Sequence, residues 1–296
     1  MVSRSVDVYL CNSTKVSFTY TPTQKGQRFT VAELLQETSK HFGMRKKESL
    51  QMFALFCGEW RRPKRVLRAD EEVPHDTALS FKRFFFDLEQ EAKTIAKDDG
   101  AMNALYLQAR SRVVTGDISL LSENLAELQS FDDPTFPTPR QYLEYLINNC
   151  PAEYNSVRVE GCVVKKGIES SSLEEGSTVH LTLNEDGLHI WSAGRVLLCE
   201  WAWSDVKSWK ADVSIPIPKV QFEVRMKSNA MERFELSTVQ SIYITDSAFV
   251  VCSLLLQKRG FTPPSGFVLP AGRPVNAIYD LLNGILKPQT TSFNEI

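Results

Sequence analysis

What the 296-residue sequence lacks narrows its function before any motif is found. It has no surplus of either charge: 34 Lys and Arg stand against 36 Asp and Glu, for a formal net charge of −2. Neutralising a nucleic-acid backbone takes a basic excess, so no nucleic-acid partner is expected. The six cysteines (Cys11, Cys57, Cys150, Cys162, Cys199 and Cys252) form no C-x-x-C pair. Most sit among apolar neighbours, which points to buried, reduced thiols and a cytoplasmic setting. No apolar run reaches the roughly 20 residues that span a bilayer, and the opening MVSRSVDVYL lacks the apolar core of a signal peptide. The four histidines (His41, His75, His180 and His189) show no metal-ligand spacing, and packing or surface roles are expected for them. There is no phosphate-binding Gly-rich loop, nucleophile elbow, H-E-x-x-H or protein-kinase signature, and no His-Cys phosphate loop of a tyrosine phosphatase. Neither an enzymatic activity nor a metal or cofactor is expected.

What is present is the composition of a globular protein, 43% apolar and 24% charged, with length for two or three domains. In residues 1–85, SVDVYL and KVSFTY alternate as strands, with Asn12-Ser13-Thr14 as the turn between them. TVAELLQETSKHFG reads as a helix: Thr30 and Glu33 make a capping box, and Gly43 suits the left-handed residue that ends it. LQMFALF and ALSFKRFFF supply further strands, and strand–strand–helix–strands is the order of a ubiquitin-like β-grasp. Residues 86–155 turn helical: one helix through Leu88, Ala92 and Ile95, one ending at Gly116, SLLSENLAELQ, and TPRQYLEYLINN with Thr138 as cap and Pro139 at the first helical position. From 156 alternation returns in VRVEGCVVKKG, STVHLTLNEDGLHIWS, RVLLCEWAWSDVKSWKAD, KVQFEVRM and ERFELST. A helix over about Ser241–Lys258 follows, with Ile244, Ala248, Val251 and Leu255 on one side and Gly260 stopping it. A meander capped by a helix is the order of a pleckstrin-homology or phosphotyrosine-binding (PH/PTB) sandwich. Residues 260–296 begin with a Pro/Gly-rich linker.

This succession resembles the FERM domain, and LYLQARSRVVTGDI with LLSENLAELQ resembles its middle-lobe helices. EDGLHIWSAGRVLLCEWAWSDVKSW resembles the third-lobe passage in which a glycine-led strand precedes a Trp-containing one. More narrowly, HFGMRKKESLQMFALF, RVLRADEEVPHD, YLINNCPAEYNSVRVEGC and the spacing Trp203-x5-Trp209 are similar to the FERM module of the endosomal sorting nexins. The likeness runs over residues 5–258. It implies an α+β fold of three lobes in a cloverleaf: a ubiquitin-like lobe (1–85), an acyl-CoA-binding-protein-like helical lobe (86–155) and a PH/PTB-like lobe (156–259). A PX domain precedes the module in that group; none is expected here, and recruitment through a PX fold is not carried over.

Three of the five tryptophans crowd into nine positions: Trp201, Trp203 and Trp209. Trp201 and Trp203 are two apart on a strand, share a face, and are expected in the core. Trp209 lies on VKSWKAD, which in the resembling lobe is a free edge beside the C-terminal helix, where an extended peptide can add a strand. The resemblance gives Trp209 the role of packing, exposed, against the turn of an Asn-Pro-x-Tyr or Asn-x-x-Tyr motif. The expected groove comprises Val206, Lys207, Ser208, Trp209, Lys210, Ala211 and Asp212 with the helix residues Ile244, Ser247 and Val251. The alternative is that Trp209 belongs to the core.

Two other features carry paired readings. Arg61, Arg62, Lys64, Arg65 and Arg68 put five positive charges in eight residues. They form either a solvated loop, diluted by ADEE, or a contact for anionic phosphoinositide headgroups at about 1 kcal/mol per residue. In the tail, Asn276 and Tyr279 spell Asn-x-x-Tyr, the ligand pattern of the preceding lobe. Ile278, Leu281, Leu282 and Ile285 equally make an amphipathic helix that docks on the domain. Asn103 and Tyr106 spell the same pattern inside an expected helix, so it arises readily by chance. The expected function is an adaptor, peripheral to endosomal or plasma membrane, that binds cytoplasmic tails of membrane cargo. Its rival is a phosphoinositide-binding cortical scaffold without peptide specificity.

Overall fold

The computed structural model describes residues 3–11, 14–21, 29–74, 77–118, 120–130, 139–168, 171–214 and 216–260. The chain divides into two compact units, residues 1–156 and 157–296.

The first unit opens with β1 (Arg4–Cys11), β2 (Thr14–Tyr20), α1 (Val31–His41), α2 (Lys47–Leu50), β3 (Phe53–Glu59), β4 (Arg62–Val66) and β5 (Leu79–Arg83). The strands form one sheet in the order β2-β1-β5-β3-β4. Only β1 and β5 in it run parallel, with Val8 opposite Leu79. Alternation sends Val8, Leu10, Leu55, Leu79 and Phe81 to one face, and α1 lays Val31 and Leu34 in the same core. The expected capping box closes α1: the Thr30 amide donates to Glu33 Oε2 (2.8 Å) and the Glu33 amide to Thr30 Oγ1 (3.3 Å). Gly43 follows with φ +72°, a conformation that any side chain would strain.

Five helices complete this unit: α3 (Leu88–Ile95), α4 (Asp99–Val114), α5 (Ser122–Ser130), α6 (Pro139–Asn149) and α7 (Pro151–Tyr154). Pro139 is the first residue of α6 as expected, while the proposed cap Thr138 lies outside the described residues. Ala101, Ala104 and Leu105 of α4 and Tyr142, Leu143 and Leu146 of α6 join Phe53 and Phe81 of the sheet in one continuous core.

Two polar knots tie the elements of this unit together, the first helix to helix and the second helices to sheet. Asp98 caps α4, accepting from the amides of Gly100 and Ala101, and also takes the Ser49 hydroxyl (2.6 Å) and the amides of Arg45 and Lys46. In the second, the Arg83 Nε donates to Glu91 (2.6 Å) and its Nη2 to Asn155 Oδ1 (2.8 Å). Tyr154 donates its hydroxyl to the other Glu91 oxygen, and its ring lies 4.8 Å from the guanidinium. Glu91 is fully buried.

The second unit holds β6 (Val157–Lys166), β7 (Thr178–Leu183), β8 (Gly187–Ser192), β9 (Leu197–Ala202), β10 (Val206–Asp212), β11 (Lys219–Arg225), β12 (Met231–Ser237) and α8 (Ser241–Lys258). The seven strands form one sheet in the order β10-β11-β12-β6-β7-β8-β9, every neighbouring pair antiparallel. The β7–β8 turn is made by Asn184, whose Oδ1 accepts from the amides of Asp186 and Gly187. A Cβ at Gly187 would sit 2.0 Å from the Trp201 carbonyl oxygen, so the approach of β9 needs glycine there. Alternate residues Val179, Leu181, Leu188, Ile190, Val220, Phe222, Val224, Phe234 and Leu236 are buried. On α8 the expected face holds through Ile244, Ala248 and Val251, but the last turn buries Leu256 while Leu255 is half-buried.

Two measurements check the knots. Arg83→Met leaves the Glu91 charge buried without its partner and should destabilise the first unit by about 3–5 kcal/mol. The double variant Arg83→Met/Glu91→Leu should cost clearly less than the single one in urea unfolding. At Asp98, burial raises the carboxyl's pKa, but the Ser49 hydroxyl and the amides of Ala101, Arg45 and Lys46 outweigh it, holding the group below its ordinary value. A depressed pKa contributes stability in full above the unfolded value of about 3.9 and loses it as pH falls through the folded value. Asp98→Asn should therefore flatten the fall of Tm between about pH 5 and pH 2, measured by a thermal scan at each pH.

Candidate functional site

The site begins at β10, the last strand on its side of the sheet, whose outer edge pairs with no other strand among the described residues. Its pairing with β11 is irregular. Val206 stands opposite Val224 and Ser208 opposite Glu223, so Lys207 is an extra residue, a β-bulge. The bulge shifts the phase of everything after it. Val206 and Trp209, three positions apart, both point inward, and Lys210 is the exposed member of the strand.

This overturns the expected exposure of Trp209, which is 1% exposed and belongs to the core. Its indole Nε1 donates to the Thr245 carbonyl of α8 (3.3 Å), and its ring lies tilted against Trp203 at 5.8 Å. Trp203 donates its own Nε1 to the Asn184 carbonyl (2.8 Å). Trp201 stacks on Phe234 at 5.2 Å, and Phe234 stacks on Phe222 at the same spacing. All three tryptophans are therefore packing residues. The helix side of the expected groove changes in the same way. Ile244, Ser247 and Val251 are each 0% exposed, and Ser247 donates its hydroxyl to the Tyr243 carbonyl (2.7 Å). None of these four side chains is available as a contact surface.

What β10 offers outward is Lys207, Ser208, Lys210, Ala211 and Asp212. Ser208 donates to Glu223 (3.3 Å), which also sits 3.8 Å from Lys207 and accepts from Arg233. Asp212 is held below the ordinary carboxylate range by the Ser214 hydroxyl and amide. Past it lies a depression of about 450 Å³ bordered by Lys210, Asp212, Val213, Lys219, Gln221 and Glu235. Beside this depression the β10–β11 loop exposes Val213 (55%) and Ile217 (60%). Sequence reasoning missed this loop. Its signal was the run VSIPIP, where apolar residues between prolines stand in place of the polar residues usual in turns.

The basic run is only partly a loop. Arg62–Val66 is strand β4, with Pro63 buried opposite Gly58 on a sheet edge, where proline costs no ladder bond. Arg65 makes a two-pronged pair with Glu71 (2.8 and 2.9 Å), and Arg68 meets Asp70 at 3.3 Å. Arg61, Arg62 and Lys64 are exposed. Asn276 and Tyr279 lie outside the described residues. The other Asn-x-x-Tyr pattern is helical: Tyr106 packs edge-on against Tyr142 at 5.2 Å. Among the described residues no group of three or more His, Cys, Asp or Glu side chains is placed to hold a metal ion. No described helix is long and apolar enough to cross a membrane.

A sheet-and-helix first unit followed by a seven-stranded meander with a capping helix is an α+β, multi-lobe fold of FERM type. The chain is similar in structure to the MyTH4-FERM MF1 domain of Dictyostelium discoideum myosin VII, with a TM-score of 0.50 and 12% identity over 86% of this chain and 60% of that one. A mutant of the same domain matches with a TM-score of 0.52 at 12% identity, over 86% of this chain and 59% of that one. The chain thus spans about 60% of the length of these solved structures, and the likeness is one of fold. No protein-family model and no curated protein sequence matches the chain.

The corrected role of Trp209 changes what its removal does. Trp209→Ala should destabilise the second unit by about 3–5 kcal/mol, the cost of emptying a large aromatic site, measured by chemical denaturation followed by circular dichroism. Lys210→Ala, on the exposed side, should stay within about 0.5 kcal/mol of the parent.

Proposed function

We propose that this chain is a non-enzymatic FERM-type adaptor whose second unit binds short extended peptides by adding them as a strand to β10. The observation that carries the reading is that β10 ends its sheet beside α8, and among the described residues no further strand pairs with its outer row of backbone donors and acceptors. With Trp209 in the core, recognition falls to that backbone row, to Lys207, Ser208, Lys210 and Asp212, and to the exposed Val213 and Ile217. Residues 1–85 and 86–155 act as the ubiquitin-like and helical lobes that accompany the PH/PTB-like lobe at 156–259. The likeness of HFGMRKKESLQMFALF and YLINNCPAEYNSVRVEGC to the endosomal sorting nexins supports a ligand of that group's kind. The ligand is then an Asn-Pro-x-Tyr or Asn-x-x-Tyr motif in the cytoplasmic tail of a membrane cargo protein, met at the endosomal or plasma membrane.

A phosphoinositide-binding scaffold is the second reading, favoured by the exposure of Arg61, Arg62 and Lys64 on and beside one edge strand. The two separate in one experiment. The full chain is titrated with a small panel of Asn-Pro-x-Tyr peptides, and hydrogen exchange is followed at saturation. Peptide binding that slows exchange in Val206–Asp212 at least about tenfold supports the adaptor. Binding with no change at β10 overturns the site. Absence of any peptide binding, together with sedimentation on phosphoinositide vesicles that Arg61→Glu/Arg62→Glu/Lys64→Glu abolishes, establishes the scaffold.

A further inference from the structure

The strands β10, β11 and β12 carry five cations: Lys207, Lys210, Lys219, Arg225 and Arg233. Four of them have a carboxylate. Lys207 lies 3.8 Å and Arg233 3.0 Å from Glu223, Lys219 lies 2.8 Å from Glu235, and Arg225 lies 3.2 Å from Asp205. The fifth is different. Lys210 is exposed, and its side chain makes no hydrogen bond or ion pair among the described residues. The carboxylates around it are already engaged. Glu235 accepts from Lys219 on one oxygen and from Gln221 on the other, and Asp212 accepts from the Ser214 hydroxyl and amide. Ser208 and Lys207 meet one oxygen of Glu223, and Arg233 takes the other.

The place of Lys210 matters as much as its free charge. Past the bulge, Ser208, Lys210 and Asp212 share the outer face, opposite Glu223, Gln221 and Lys219 of β11. On a strand added to β10, alternate side chains rise on that same face, and the one beside Lys210 comes within about 4.5–5.5 Å of it, Cβ to Cβ. A basic side chain there meets like charge, and an apolar one takes water from the ammonium without compensation. An acidic side chain supplies the missing partner. We propose that the β10 edge selects extended peptides that carry an Asp or Glu at the strand position beside Lys210. This rests on the reading of β10 as the peptide-binding edge and adds the chemistry of the ligand to it. The group is a carboxylate rather than a phosphate. One free cation stands among Asp212, Glu223 and Glu235, so the second negative charge of a phosphate would find no partner.

Calorimetric titration of the full chain tests the assignment. The ligands are Asn-Pro-x-Tyr peptides in which Glu, Gln, Lys or phosphoserine replaces each residue preceding the motif, one position at a time. Hydrogen exchange reports in parallel whether Val206–Asp212 is slowed. At one position Glu should bind at least about threefold more tightly than Gln, and Lys more weakly than either, a preference that shrinks between about 50 mM and about 500 mM salt. Lys210→Gln should erase the preference. Lys210→Glu should reverse it, so that the Lys peptide binds best. Both changes fall on the exposed side of β10 and leave the core residues in place. Slowed exchange at β10 with equal affinity for Glu, Gln and Lys peptides at every position overturns this inference alone. A preference that survives Lys210→Gln, or phosphoserine binding more tightly than Glu, overturns it equally. If no peptide slows exchange at β10, the edge reading falls and the inference falls with it.

Discussion

The extra residue at Lys207 governs the second unit more than any other single feature. A bulge sets two residues of one strand against one of its partner, and every side chain beyond it changes face. Without it, Trp209 would lie outside the sandwich and Ser208 inside. With it, the indole meets Trp203, donates to the Thr245 carbonyl, and pins α8 to the end of the sheet. The edge that β10 presents is consequently polar on its flank, and its apolar component is displaced into the β10–β11 loop at Val213 and Ile217. Any partner of this edge meets backbone and lysine first, and hydrophobic surface only at one end.

The first unit depends on a different kind of constraint. A fully buried carboxylate is costly unless its oxygens are satisfied, and Glu91 is satisfied by Arg83 from β5 and by the Tyr154 hydroxyl from α7. The two donors come from opposite ends of the helical segment, so the pair forms only when sheet, α3 and α7 are all in place. Arg83 extends the bond to Asn155, and Asn155 donates to the Phe86 carbonyl. Such a buried network is satisfied only when all of its members are in place. It selects one docking of the helices against the sheet among those a purely apolar interface would tolerate.

Much of this was legible in the sequence because it follows from local chemistry. The Thr30/Glu33 capping box, Pro139 at the start of α6 and the bounds of α8 each depend on a few adjacent residues, and each is found as expected. What was not legible depended on register. The pattern VKSWKAD carries no mark of an extra residue, since Val206 and Trp209 reveal the bulge only once Val224 and Phe222 are known to face them. The run RRPKR was read as a loop because charge and proline both suggest one. On an edge strand neither is out of place, and Glu71, six residues beyond Arg65, supplies the acid that folds part of the run inward. The burial of Ser247 was equally hidden, because Thr245, Asp246 and Ser247 together read as a polar stretch of helix.

The order of the seven strands has a geometric consequence. β9 and β10 occupy opposite ends of that order, yet only Trp203, Ser204 and Asp205 separate them in the chain. Laid flat, seven strands would put the outermost two about 29 Å apart, while four residue steps reach at most about 14 Å. The sheet must therefore roll until its first and last strands meet at the Trp203–Asp205 corner.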